Sequence, residues 1–218
     1  GRTGAPSVVG RHADRAGRGR GAGGGRAGEH ERREALAREV CRGVDSVDGM
    51  SARLRTVPDV SAETERSIAE VPESGPPFAT TDDLRECAGL VMGSPTNFGN
   101  MAASMKHFID GTVRDWFSGI LIDKPAGVFT SSASMHGGQE STLLSMALPL
   151  IHHGMIFVGL PYSEERLSTT TTGGAPYGAT HVSGSRKTVE LSDDEKHLAR
   201  ALGKRVATFA ARLERTAR

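Results

Sequence analysis

The sequence predicts a doubly wound α/β domain built on a parallel sheet. Three observations carry that expectation. Short continuous apolar runs, AGLVMGS (88–94), PAGVFTSS (125–132) and MIFVGLP (155–161), have the form of strands buried on both faces. Helical patterns follow them: NMAASMKHFID (100–110), QESTLLSMALPLIHH (139–153) and the C-terminal SDDEKHLARALGKRVATFAARLERTAR (192–218). Loops rich in Ser, Gly and Asn, GSPTNFGN (93–100) and TSSASMHGGQE (130–140), separate each of the first two strands from its helix. In such folds ligands sit at the carboxyl ends of the strands.

Taken in order, ERREALAREVCRGV (31–44) places Leu36, Val40 and Val44 on one helical face, and VDSVDG ends it with a turn. MSARLRTV (50–57) alternates apolar and polar residues, a half-buried strand near a sheet edge. Pro58 to Pro77 is a connection of weak helical character, and Thr80 or Thr81 caps a short helix from Asp82 to Cys87. Pro149 kinks its helix or shifts its end. From Tyr162 to Glu190 the chain is polar and Gly-rich, and TTTTGG (169–174) reads as a flexible surface loop. Ser192 caps the last helix ahead of an acidic first turn, and Leu198, Leu202, Val206, Phe209 and Leu213 form its apolar stripe.

Composition excludes several classes of function. Lys+Arg 27 against Asp+Glu 26 gives no global field for nucleic acid or an anionic membrane. Two cysteines, Cys41 and Cys87, make neither a disulfide framework nor a metal-ligand spacing and are expected as reduced thiols. No apolar run approaches the ~20 residues of a membrane span, and the basic N-terminus has no apolar core of a signal peptide, so a cytoplasmic protein is expected. The Gly-x-Ser-x-Gly, GxxxxGK[ST] and HExxH patterns are absent, which weakens hydrolase, NTPase and metalloprotease readings.

The chemistry therefore falls to the loops. Gly93 to Asn100 presents backbone N–H groups, and the Phe98 ring, to a planar ligand. Thr130 to Glu140 supplies small hydroxyls, backbone donors and glycines for close approach. His152 and His153 end a helix, where they also suit its dipole, and a metal would need further ligands. Trp116, the only tryptophan, suits a core or interface as well as a site, and His136 has no nucleophile paired with it in sequence.

Five blocks, GSPTNFGNMAASMKHFID, DWFSGIL, VFTSSASMHGGQE, HHGMIFVGLPY and GGAPYGATHVSG, stand in an order that resembles the WrbA family. Its members are flavodoxin-like, FMN-dependent NAD(P)H:quinone oxidoreductases. The resemblance runs from about Glu34 to the C-terminal helix. It implies a twisted five-stranded parallel sheet in the order 2-1-3-4-5 and a homotetramer that completes each flavin pocket. Pro95, Thr96, Asn97 and Phe98 would then hold one side of the isoalloxazine ring, with Asn97 where many members carry Arg. Ser131, Ser132, Ala133, Ser134, Met135, His136 and Gly137 would wrap the polar edge of the ring and the ribityl chain. His153 would contact the flavin and Trp116 would line the quinone site, while GGAPYGATHVSG would pack near the pocket or between subunits. The implied reaction passes two electrons from NADH or NADPH through bound FMN to a quinone, in ping-pong fashion, with no protein nucleophile, metal, membrane or nucleic-acid partner. The competing reading is a non-catalytic flavodoxin-like oligomeric module that no longer holds flavin.

The N-terminus departs from that pattern. Residues 1–30 are crowded with Gly and Arg, as in GRGRGAGGGRAG (17–28), and have Val8 and Val9 as their only large aliphatic side chains. A disordered segment is expected there, with the flavodoxin-like domain over 31–218. The first strand and the Ser/Thr-rich phosphate-binding turn of the family are expected to be missing, APSVVG being too short and too poor to replace the strand. Such a composition fits an out-of-frame or misplaced start rather than family sequence.

Overall fold

The computed structural model describes residues 7–9, 24–58, 76–184 and 190–216. Parallel strands form one sheet in the order β2-β1-β3-β4-β5: β1 (Ser7–Val9), β2 (Arg53–Arg55), β3 (Leu90–Pro95), β4 (Pro125–Ser132) and β5 (Ile156–Phe157). A sixth strand, β6 (Ala179–Val182), also pairs with β4. The doubly wound architecture and its strand order are as expected, with β6 added.

Every residue of β3 and β4 is buried, so both faces of the sheet must be covered. The two-residue period of a strand divides their side chains between two layers. Leu90, Met92, Ala126 and Val128 join a core with Met105 of α3 (Ala103–Asp110) and Leu143 and Met146 of α5 (Gln139–His152). Val91 and Phe129 point the other way, against Leu36 and Val40 of α1 (Gly24–Asp45) and Leu198, Leu202 and Val206 of α7 (Asp193–Thr216). Helices α1 and α7 lie in close contact, since a Cβ on Gly43 would fall 1.9 Å from the Arg200 carbonyl oxygen and one on Gly203 2.0 Å from that of Val40. The short helix α2 (Thr81–Glu86) starts at Thr80, whose hydroxyl accepts the Asp83 N–H while the Asp83 carboxylate accepts the Thr80 N–H, a reciprocal cap. Pro149 sits inside α5, which ends at His152.

Four expectations need correction. The first strand is present: Ser7–Val9 pairs with β2 on one side and β3 on the other. Three residues pair with all of β2 and with Leu90–Met92 of the six-residue β3, whose other edge is paired along its whole length by β4. Helix α1 begins at Gly24, ahead of the expected start, so 1–30 is not wholly without order. GRGRGAGGGRAGEHERR (17–33) stands where the phosphate turn is expected; residues 17–23 lie outside the described residues, as does most of the 58–77 connection, and 24–33 belong to α1.

The run MIFVGLP does not form a strand buried on both faces. Only Ile156 and Phe157 pair with β4, and Ile156 is exposed. The Val158 N–H still donates to the Ala126 carbonyl at 2.7 Å, but beyond it the edge of β4 is taken over by β6, in register Phe129↔Ala179 to Ser132↔Val182. A Cβ on Gly178 would lie 2.0 Å from the Val128 carbonyl oxygen, so only glycine admits β6 to this edge.

TTTTGG is tied down rather than free. The Gly173 N–H donates to Glu195 at 3.0 Å and its carbonyl accepts from the Thr170 hydroxyl at 2.9 Å. Glu195 also accepts the Val182 and Ser192 N–H groups and hydrogen-bonds His181, all at 2.9 Å, with His181 and Glu195 essentially out of contact with solvent. Burial opposes the Glu195 charge, but these hydrogen bonds together outweigh it and hold the carboxyl below its ordinary range. The short helices α4 (Val113–Phe117) and α6 (Arg166–Thr169) had no sequence signal of their own.

Candidate functional site

The site is built from the carboxyl ends of β3 and β4. Pro95 and Ser131 are partners in the last rung, and the Thr96 N–H extends the ladder to the Ser131 carbonyl at 3.1 Å. The loops that follow therefore leave the sheet side by side. Buried hydroxyls fix their roots: Ser94 Oγ accepts the Ala102 N–H at 2.8 Å, and Thr130 Oγ1 donates to the Ser94 carbonyl at 2.8 Å.

In the first loop Asn97 and Asn100 exchange backbone hydrogen bonds of 2.8 and 3.0 Å, closing a tight turn. Phe98 and Gly99 at its tip have φ of 53° and 75°. A bulky residue in the left-handed region is rare, and here it throws the Phe98 ring fully into solvent at the strand ends. Asn97 is exposed as well, while Pro95 is buried and Thr96 half-buried.

The second loop is folded on itself. Ser132 Oγ and the Gly137 N–H both donate to the Ser134 carbonyl, at 2.8 and 3.1 Å, and Gln139 Nε2 donates to the Met135 carbonyl at 2.8 Å. Ala133, Ser134, Met135 and His136 project outward above buried Ser131 and Ser132, with Gly137 half-buried. The loops are joined where Thr96 Oγ1 donates to the Gly138 carbonyl at 3.0 Å and meets the Thr142 hydroxyl. From the far side, the Ser183 N–H after β6 donates to the Ser132 carbonyl at 3.0 Å.

His153 and Trp116 belong to a neighbouring groove of about 530 Å³ between α3, α4 and α5, which Asn100 and Met101 also line. The structure thus places Pro95–Phe98 and Ser131–Gly137 together, and His153 with Trp116 beside them. Trp116 Nε1 donates to the His152 carbonyl at 2.7 Å. The Thr112 hydroxyl gives its single proton to the Ile109 carbonyl at 2.6 Å, so in its 2.9 Å contact with His153 Nε2 it accepts. His153 Nε2 then carries a hydrogen, and its buried Nδ1 has no hydrogen-bond partner among the described residues. Burial pushes the His153 pKa down against the smaller upward pull of Asp115, in keeping with a neutral ring.

Ser94, Gln139 and Ser183 lie in the stretches that the sequence singles out but carry no individual signal there, and Thr142, in the helix beyond, has none; all four shape the loops. The second glycine of HGGQ was the one local sign of a tight approach at Gly138. The residues present fit the ring end of a flavin, with an exposed aromatic, small hydroxyls and backbone donors converging on one strand-end cradle.

The model of the NADPH-dependent FMN reductase family matches residues 23–163, well over half the chain. The chain belongs to this family. Among its relatives, an NAD(P)H dehydrogenase (quinone) of Syntrophobacter fumaroxidans is 46% identical over 187 residues, covering 83% of this chain and 92% of that protein. Another, from Solidesulfovibrio magneticus, is 41% identical over 192 residues, covering 82% and 92%. In fold, this member of the family is similar to a flavodoxin, WrbA-like protein from Agrobacterium tumefaciens, at a TM-score of 0.59 and 24% identity over 95% of this chain and 98% of that one. Among the described residues no helix is long and apolar enough to cross a membrane.

Proposed function

We propose that the chain is an FMN-dependent NAD(P)H dehydrogenase (quinone) of the WrbA branch. The observation that carries this reading is the convergence of the 95–100 and 131–138 loops on one exposed cradle, in a chain 41–46% identical to proteins of that name. Pro95, Thr96, Asn97 and Phe98 support one side of the ring, and the outward residues 133–137 line its polar edge and ribityl chain. Bound FMN supplies the two-electron transfer between NADH or NADPH and the quinone. The protein orients the ring, offers backbone N–H groups to its polar edge and keeps water from its face. With donor and acceptor sharing one face in turn, initial-rate plots should be parallel, the ping-pong pattern.

In a homotetramer that completes each pocket, His153 contacts the flavin from a neighbouring part of the pocket and Trp116 lines the quinone site. Support comes from the groove they occupy: Val113, Trp116 and Leu148 line it while exposed, and the exposed Phe117 ring lies 4.7 Å from Trp116. Such a patch marks an interaction surface. Residues 10–23 contain no Ser or Thr, so the phosphate gains no hydroxyl from that segment.

Titration with FMN, followed by flavin fluorescence and by size-exclusion chromatography, tests the reading. Saturable binding in an oligomer that oxidises NADH or NADPH with a benzoquinone upholds it. A well-folded oligomer that binds no flavin overturns it in favour of a non-catalytic module.

A further inference from the structure

We propose, on the reading that places His153 at the flavin, that Thr112 is a positioning residue for that site. Its hydroxyl fixes the His153 ring so that neither ring nitrogen is free to meet the flavin, and His153 acts there by contact alone, as a wall and not as a proton donor.

Thr112 is buried at the N-cap position of α4. A threonine hydroxyl there ordinarily accepts an N–H from the first turn of its helix. This one makes no cap bond. It donates instead to the Ile109 carbonyl at 2.6 Å, and so meets His153 Nε2, 2.9 Å away, as an acceptor. Four residues on, Trp116 Nε1 donates to the His152 carbonyl at 2.7 Å. Residues four apart lie on one side of a helix, so a single turn grips the end of α5 at two consecutive residues. The His153 backbone N–H donates to the Pro149 carbonyl at 3.0 Å. Backbone and ring are thus fixed by separate bonds.

Burial closes off the second nitrogen. His153 Nδ1 is out of contact with solvent and has no hydrogen-bond partner among the described residues. A subunit packed on the groove only buries it further. A proton on Nδ1 would be a buried donor without an acceptor, which is costly, so the geometry favours a bare Nδ1. The lowered His153 pKa agrees. Asp115, whose charge pulls upward on that pKa, is paired with Arg85 at 2.7 Å, and of the charges lining the groove Lys106 is paired with Asp110 at 2.6 Å. With one nitrogen tied and the other buried, the half-buried ring offers a ligand its carbons. A phenylalanine would offer carbons too, but could not make the bond to Thr112 that sets the angle of the ring.

Nitrogen-15 NMR of the full chain with labelled histidine, with and without FMN and well above the ordinary histidine pKa of 6.5, tests the tie. The His153 signals are those absent from His153→Leu. A slowly exchanging Nε2–H and a bare Nδ1 are expected in both states. Thr112→Val should abolish the slow exchange and raise the FMN dissociation constant about threefold to tenfold, the weight of one hydrogen bond. Thr112→Ser should restore both. In a His153→Leu background Thr112→Val should change FMN affinity no further, because the residue through which it acts is gone. An effect of the same size in both backgrounds marks a structural role and overturns the proposal. So does an FMN affinity that Thr112→Val leaves unchanged, or an Nδ1 that takes up a hydrogen bond when FMN binds; the last is read on the wild type alone should Thr112→Val fail to fold. A wild-type chain that binds no FMN while its Nε2–H stays protected overturns the placement of His153 at the flavin, and this role of Thr112 with it.

Discussion

Gly99 and Gly138 bring the two site loops into backbone contact: a Cβ on Gly138 would lie 2.8 Å from the Gly99 Cα. Gly138 also has φ of +92° and precedes the first residue of α5. Side chain and dihedral therefore forbid the same substitution. Gly138→Ala should cost about 1–3 kcal/mol of stability, the scale of one strained backbone residue. It should weaken FMN binding further, because the loops must separate to admit the methyl group. Thermal melts with and without FMN measure both effects. An unchanged FMN affinity would show that the loop contact does not shape the cradle.

That contact could not be read from the sequence, because it joins backbones about forty residues apart and leaves no periodic trace. The loops themselves were legible, since each interrupts an apolar run just before a helical pattern. The expected bounds of β4, 125–132, are those observed. β5 was misread because the apolar run MIFVGLP records burial, not partnership: Val158 and Leu160 are buried although only Ile156 and Phe157 pair with β4. The brevity of APSVVG argues against a strand, yet Ser7–Val9 pairs with all of β2 on one side and with Leu90–Met92 of β3 on the other. Ser192 was legible as a cap, but its reciprocal partner Glu195 also answers to His181 and Gly173, whose approach depends on β6.

The Glu195 cluster makes an acid-sensitive tie between α7 and β6. Its carboxyl titrates below its ordinary value of 4.5 in the folded chain. The unfolded state therefore binds the proton first as pH falls, so the contribution to stability is full above about 4.5 and is lost as pH drops through the lower folded value. Glu195→Gln weakens charge-assisted hydrogen bonds from the Gly173, Val182 and Ser192 N–H groups and should cost about 1.5–3 kcal/mol at neutral pH. The gap between wild type and variant should narrow below pH 4.5 in denaturant titrations, and a gap independent of pH would refute the tie.

The exposed apolar groove sets a prediction on assembly. Leu148 is 61% exposed on α5 and lines the groove with Trp116. An aspartate there costs the isolated chain little but buries an unpaired charge in any subunit contact. If the proposed homotetramer packs through this groove, Leu148→Asp should give smaller species by size-exclusion chromatography, with the far-ultraviolet dichroism unchanged. A tetramer that persists would place the interface elsewhere.

The proposed role of Phe98 is testable because its ring contributes nothing to the core. Its ring contacts solvent on all sides, so its removal takes no packing from the core. Its φ of 53° is a conformation that glycine adopts without strain. Phe98→Gly should therefore leave the melting temperature unchanged or slightly raised. A ring stacked on an aromatic contributes about 0.5–1.5 kcal/mol beyond the area it buries, so flavin affinity should fall by up to about tenfold. Phe98→Tyr keeps the stacking face and should restore it. A loss of flavin binding accompanied by a matching loss of melting temperature would mean that Phe98 holds the loop rather than the ligand. Intact binding in Phe98→Gly would remove the ring from the cradle altogether and leave the backbone donors of the 133–137 loop to hold the flavin.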